Sequence, residues 1–129
     1  MAKRVLIVDD EPNIVTSLEF LMRRSGYEVA LARNGEEALA LVAEFRPDLV
    51  LLDVMMPLRS GYDVCRTLRE HPEWRAIKIV LLSAKGREAE VNKGLSLGAD
   101  AYVTKPFSSR ELTRRVGELL GQGDAPEPA

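Results

Sequence analysis

Short runs built almost wholly from Val, Ile and Leu recur along this chain, each followed by a longer amphipathic stretch. Val5-Leu6-Ile7-Val8, Leu49-Val50-Leu51-Leu52 and Ile77-Lys78-Ile79-Val80-Leu81-Leu82 are the clearest, while Tyr27–Ala32 and Ala101-Tyr102-Val103 are weaker. A run that is apolar at nearly every position leaves no face for water. It reads as a strand covered on both sides, the environment of a parallel sheet. Five strand-then-helix units in succession restrict the chain to a doubly wound α/β fold with right-handed crossovers and helices on both faces. The 129 residues suffice for one domain, and a hydrophobic share of 46% is enough to build its core.

The helices announce themselves by caps and spacing. Pro12 suits the first turn of helix 1, where its missing N–H costs nothing, and Ile14, Leu18, Leu21 and Met22 follow at helical spacing. Asn34 with Glu37 opens helix 2, whose stripe is Ala38, Leu41, Val42 and Phe45. Ser60 with Asp63 opens helix 3, which stops near His71-Pro72. Helix 4 is expected from about Arg87 to Leu97, ending at Gly98. Ser108 with Glu111 has the capping-box pattern for helix 5, carrying Leu112, Val116, Leu119 and Leu120. Residues 122–129 have linker composition and are expected to form a flexible tail or the start of a linker to more chain.

Charge and composition narrow the function. A net charge of −2 gives no basic excess, so direct nucleic-acid binding is not expected. The single cysteine, Cys65, excludes an internal disulfide and a cysteine-built metal site, and fits a reducing cytoplasm. No apolar run reaches the ~18 residues of a membrane span, and no signal peptide opens the chain.

Parallel strands all end on one edge, and ligands of open α/β sheets bind outside that carboxyl edge. Asp9, Asp10 and Glu11 follow the first strand, Asp53 the third, Ser83 the fourth and Lys105 the fifth. Taken singly, Asp10 or Ser83 reads as a helix cap, Asp53 as a turn residue and Lys105 as a solvated surface lysine. Together they deliver three carboxylates, a hydroxyl and an ammonium to one cleft from four strands. Clustered carboxylates repel, and a divalent cation relieves the repulsion. All-oxygen ligands with no His or Cys select Mg²⁺, with Mn²⁺ as a substitute. Such an ion keeps a position for a phosphoryl oxygen, Lys105 and Ser83 can bind others, and the central carboxylate Asp53 can attack phosphorus to give an aspartyl phosphate.

The residues Val8-Asp9-Asp10-Glu11, Asp53-Val54-Met55-Met56-Pro57 with Gly61, Ser83-Ala84, Gly98-Ala99-Asp100 with Tyr102, and Lys105-Pro106-Phe107 resemble the receiver domain of bacterial two-component response regulators. The likeness runs from about Lys3 to Gly121, and implies a receiver (phosphoacceptor) domain over residues 1–121. It implies a flavodoxin-like (βα)5 sheet with strand order 2-1-3-4-5. It implies Asp53 as phosphoacceptor, Asp10 as direct metal ligand, Asp9 acting on the metal through water, and the Met55 backbone carbonyl as third protein ligand. Lys105 is then the phosphate-binding lysine, joined to Pro106 by a cis bond. Ser83 and the Ala84 N–H contact the phosphate, Ser83 and Tyr102 form the switch pair, and Met55 and Lys85 flank the path of hydrolytic water. The implied partners are a sensor histidine kinase or histidine phosphotransfer protein, and a downstream protein or fused output domain. The implied output surface is helix 4, strand 5 and helix 5. In regulators with winged-helix outputs that face resembles an ionic dimer interface. Asp100, Glu111 and Arg115 fit the pattern and Val91 and Ala101 do not, so a monomer or weak dimer is expected.

Three rival readings fit less well. A dehalogenase-type phosphatase wants a second acid two residues after its nucleophile, where this chain has Met55. A flavodoxin-like nucleotide binder wants a glycine-rich phosphate loop where this chain has acids. A degenerate receiver would not keep the set Asp9, Asp10, Asp53, Ser83 and Lys105. His71 reads as a surface residue, Cys65 as a partly buried small apolar one, Trp74 as a packing residue in the loop before strand 4, and Arg110, Arg114 and Arg115 as a solvated helix face.

Overall fold

The computed structural model describes residues 2–56, 59–84 and 86–121. Pro57 of the aspartate motif, Lys85 of the water-flanking pair and the 122–129 tail lie outside the described residues. The strands are β1 (Arg4–Val8), β2 (Glu28–Ala32), β3 (Leu49–Asp53), β4 (Lys78–Ser83) and β5 (Ala101–Thr104). The helices are α1 (Pro12–Arg24), α2 (Gly35–Phe45), α3 (Gly61–Glu70), α4 (Glu88–Ser96) and α5 (Ser109–Leu119), with a 3-10 turn over Pro72–Trp74. All strands are parallel in one sheet of order β2-β1-β3-β4-β5. Among the described residues no helix is long and apolar enough to cross a membrane.

The apolar runs do what their composition requires. Every residue of β3 is buried, as are Val5 to Val8 of β1 and Ile79 to Ser83 of β4. Alternation then sorts them by face. Leu6, Val8, Val50, Leu52, Ile79 and Leu81 pack with Ala38, Val42, Val64, Cys65 and Leu68 of α2 and α3. Val5, Ile7, Leu49, Leu51, Val80 and Leu82 pack with Leu18, Met22, Leu112 and Val116 of α1 and α5. Each large aliphatic side chain removed from water contributes about 1.5–3 kcal/mol, which offsets the entropy of ordering the chain.

The caps form as the sequence indicates. Asn34, Ser60 and Ser108 accept from the N–H groups of Glu37, Asp63 and Glu111 at 2.9, 3.2 and 3.2 Å. The Glu111 carboxylate turns to Arg114 at 2.8 Å. α4 ends in a Schellman arrangement: Ala99 N–H reaches Gly94 O at 3.2 Å and Gly98 N–H reaches Leu95 O at 3.1 Å, with Gly98 at φ +106°.

Small departures from the sequence reading have local causes. Tyr27 and Ile77 stand one residue outside their strands, because their N–H groups close preceding turns, on Met22 O at 3.1 Å and Trp74 O at 3.2 Å. Trp74 lies in the 3-10 turn, half-buried, with its ring 4.6 Å from that of His71. Cys65 is fully buried, not partly so, because α3 lays it between the sheet and the end of α4, 3.6 Å from Leu97 O.

Arg69 fastens the far edge of this face. Its guanidinium donates to Gly98 O (2.8 Å), Ile77 O (2.8 Å), Arg75 O (3.1 Å) and Asp100 Oδ2 (2.9 Å). The same Asp100 oxygen accepts from Ile79 N–H at 2.8 Å. Asp100 is therefore committed within the chain.

Candidate functional site

The sheet reverses direction between β1 and β3: the chain leaves β1 toward β2, then returns to the other side. The carboxyl ends of these two strands flank the crevice where open α/β sheets bind ligands. Asp9 and Asp10 stand at one side of it and Asp53 at the other. The ladder continues past the strand ends and pins the site. Asp9 N–H bonds to Ala32 O (3.1 Å), Val54 N–H to Leu82 O (2.9 Å) and Lys105 N–H to Ser83 O (2.8 Å). The Lys105–Pro106 bond is cis. Gly61 lets α3 approach closely, since a Cβ there would lie 2.9 Å from Val54 Cα.

Asp9, Asp53 and Ser83 are buried, and Asp10 is exposed at the rim. One oxygen from each of Asp9, Asp10 and Asp53 falls within 4.8 Å of the others. Lys105 Nζ donates to Asp9 Oδ2 at 3.0 Å and to Asp53 Oδ1 at 3.4 Å. Asp9 Oδ1 accepts from Glu11 N–H at 2.9 Å, and Asp53 Oδ1 from Met55 N–H at 3.3 Å. The Met55 side chain is exposed, and Ala84 is exposed beside Ser83.

The electrostatics are those of an incomplete charge set. Burial, then the charge of Asp9, push the Asp53 carboxyl up to about 6, against Lys105 and the Met55 N–H, which pull it down. Burial pulls the Lys105 ammonium down, but its hydrogen bond to Asp9 and the charges of Asp53 and Asp9 outweigh this and hold it above its ordinary range. Three carboxylates thus face one ammonium, and burial penalises the excess negative charge. The donor set is all oxygen, with no His or Cys ligand in the cluster, so it fits a hard divalent cation and not a soft one.

The structure therefore brings together Asp9, Asp10, Asp53, Ser83 and Lys105, the five residues that the strand ends singled out. Tyr102 lies one layer away, beneath α4. Two residues escaped the sequence reading. Arg69 gave no motif, only a basic residue near a helix end. Tyr62 gave no more than an aromatic after Gly61, yet its hydroxyl donates to Glu90 O on α4 at 3.3 Å. A cleft of about 420 Å³ adjoins it, lined by Val54, Met55, Tyr62, Ser83 and Glu90 among others. A depression of about 490 Å³ lined by Arg46, Glu73 and Trp74 lies outside this site.

The family model of the response regulator receiver domain matches residues 5–117. The chain is 45% identical, over all of its 129 residues, to the alkaline phosphatase synthesis transcriptional regulatory protein PhoP of Bacillus subtilis, of which it covers 53%. It thus spans about half the length of that curated relative. Among solved structures, the signal receiver domain of a signal transduction histidine kinase from Syntrophus aciditrophicus has a TM-score of 0.87 at 35% identity, covering 99% of this chain and 97% of that one. The chemotaxis protein CheY4 of Vibrio cholerae has a TM-score of 0.87 at 28% identity, covering 92% and 99%. Response regulators receive signals from histidine kinases and act through output domains, as signalling proteins and not metabolic enzymes. On the extent of the family match and this identity, the chain belongs to the response regulator receiver domains of two-component signalling.

Proposed function

We propose that this domain, residues 1–121, accepts a phosphoryl group on Asp53 from a sensor histidine kinase or histidine phosphotransfer protein in the cytoplasm. An Asp53 carboxylate oxygen attacks phosphorus, the bond from phosphorus to the donor histidine nitrogen breaks, and that nitrogen keeps the electron pair. The only reactions catalysed are this self-phosphorylation and the later hydrolysis. The observation that carries the reading is the placement of Asp53: buried at the end of the central strand, within reach of Lys105, and clustered with Asp9 and Asp10.

Asp10, Asp53 and the Met55 backbone carbonyl would hold Mg²⁺ (or Mn²⁺), with Asp9 acting through water. Once bound, that ion supplies positive charge against the oxygens of the transferring group. Lys105, which already bridges Asp9 and Asp53, neutralises a second phosphoryl oxygen. The Ser83 hydroxyl and the Ala84 N–H donate to the others. Drawing Ser83 toward Asp53 vacates space that Tyr102 fills, which biases the surface of α4, β5 and α5 toward one of two existing arrangements and so controls a partner or fused output domain.

Incubation with acetyl phosphate and Mg²⁺, read by intact mass, tests the acceptor. The wild type should gain one phosphoryl group and Asp53→Asn none. Stoichiometric labelling of the Asn variant, or an unlabelled wild type, would overturn the assignment.

A further inference from the structure

The loop that leads from β3 to α3 is tied to the rest of the molecule at both ends. Val54 N–H bonds to Leu82 O at 2.9 Å, and Gly61 N–H returns to Val54 O at 2.9 Å, so the loop closes on its own root. Arg59, near its end, leans on a different element. A Cβ on Gly35, the first residue of α2, would lie 2.5 Å from Arg59 Cβ, 3.1 Å from Arg59 O and 3.1 Å from Val64 Cγ2. The missing side chain is what lets the start of α2 meet the loop and α3 so closely. Beside it, the Glu36 carboxylate pairs with Arg59 Nε. Glu36 sits in the first turn of α2, which Asn34 caps through Glu37 N–H at 2.9 Å. The pair joins residues 23 apart in sequence, and both are exposed.

The same loop bears Met55, whose N–H bonds to Asp53 Oδ1 at 3.3 Å and whose carbonyl is the proposed third metal ligand. A backbone ligand has no rotamers of its own, so the path of the loop sets its place. Mg²⁺ demands short bonds in near-ideal octahedral geometry, whereas Ca²⁺ accepts longer and less regular ones. A loop free to widen therefore penalises Mg²⁺ more than Ca²⁺. We propose that Glu36 and Arg59 form a clasp that positions the β3–α3 loop and makes the site prefer Mg²⁺ over the larger Ca²⁺. The inference rests on the proposed phosphoacceptor reading and its metal, and adds two positioning residues outside the carboxylate cluster. A clasp differs from a mere field effect in sign. Removing the Glu36 charge should weaken any bound cation through the field alone, removing the Arg59 charge should strengthen it, and each acts on both ions alike. Loss of the clasp lowers the preference for Mg²⁺ in either variant.

The test is titration of the full chain with Mg²⁺ alone and with Ca²⁺ alone, followed by amide chemical shifts, for wild type, Glu36→Gln, Arg59→Gln and the double variant. The ratio of Mg²⁺ to Ca²⁺ affinity should fall about two- to fivefold in each single variant, the scale of an exposed ion pair. Because the two residues act as one pair, the ratio should fall no further in the double variant. Arg59→Lys, which keeps the charge, should recover part of it. A merely structural pair would weaken both ions equally and leave the ratio at its wild-type value. That outcome, or opposite shifts in the two single variants, or additive losses in the double variant, overturns the inference alone. A wild type that binds no Mg²⁺ overturns the metal reading and this inference with it.

Discussion

Lys105 and Asp9, 96 residues apart in sequence, meet at 3.0 Å, and the Asp9 side chain is fully buried. The lysine is thus the counter-charge of a carboxylate that has no access to water, as well as a group available to a phosphate. Removing it strands a buried anion, the costly way to break an ion pair.

Lys105→Met should therefore lose stability in metal-free buffer, by about 1–3 kcal/mol in urea unfolding. Mg²⁺ should recover part of the loss, because it supplies positive charge to the same carboxylates. A metal-free variant as stable as wild type would mean that Asp9 finds other compensation.

Asp53 carries a pH signature. Its carboxyl is raised from 3.8 to about 6, so the folded state favours the neutral form. The stability this contributes is fully present below about pH 4 and is lost as pH rises through about 6. Asp53→Asn has no such charge to bury. In metal-free buffer it should be more stable than wild type above pH 6, by on the order of 1–2 kcal/mol, with the gap closing toward pH 4. Unfolding curves at pH 4 and pH 7.5 decide it, and a gap that widens in acid would contradict the burial argument.

Met55 is 60% exposed two residues after Asp53, and its side chain cannot orient an attacking water by hydrogen bonding. Met55→Asn supplies such a group. The lifetime of the phosphorylated form should change about severalfold, the scale of a modest positioning effect. Phosphoryl loss followed by intact mass checks this, and equal half-lives for the two proteins would refute it.

The α4, β5 and α5 face should not form a tight dimer on activation. Val91 and Ala101 withhold two charges from it, and the Asp100 carboxylate is already held by Arg69 and the Ile79 N–H. Glu111 pairs with Arg114 at 2.8 Å and with Arg115 at 3.6 Å on its own helix. Analytical ultracentrifugation with beryllofluoride and Mg²⁺ should find monomer or weak dimer at micromolar protein. A complete shift to dimer that Arg115→Ala abolishes would show that the remaining charges suffice.

The sequence by itself determined the five βα units, the helix caps at Asn34, Ser60 and Ser108, and the carboxyl-edge positions of Asp9, Asp10, Asp53, Ser83 and Lys105. These are readable because they depend on periodicity along the chain and on one geometric fact, that parallel strands all end on the same side. The strand order came from resemblance and not from the pattern, since apolar runs of similar composition do not say which neighbour each will choose. Tertiary packing alone decided the rest. Cys65 is fully buried because the end of α4 closes over α3, and Asp100 is spent on Arg69 because α3 and the turn before β5 meet at the far edge. Tyr62 acquires its partner, the Glu90 carbonyl, only when α4 settles beside α3. Such contacts join side chains whose separation in sequence follows no period, so nothing local in the chain records them.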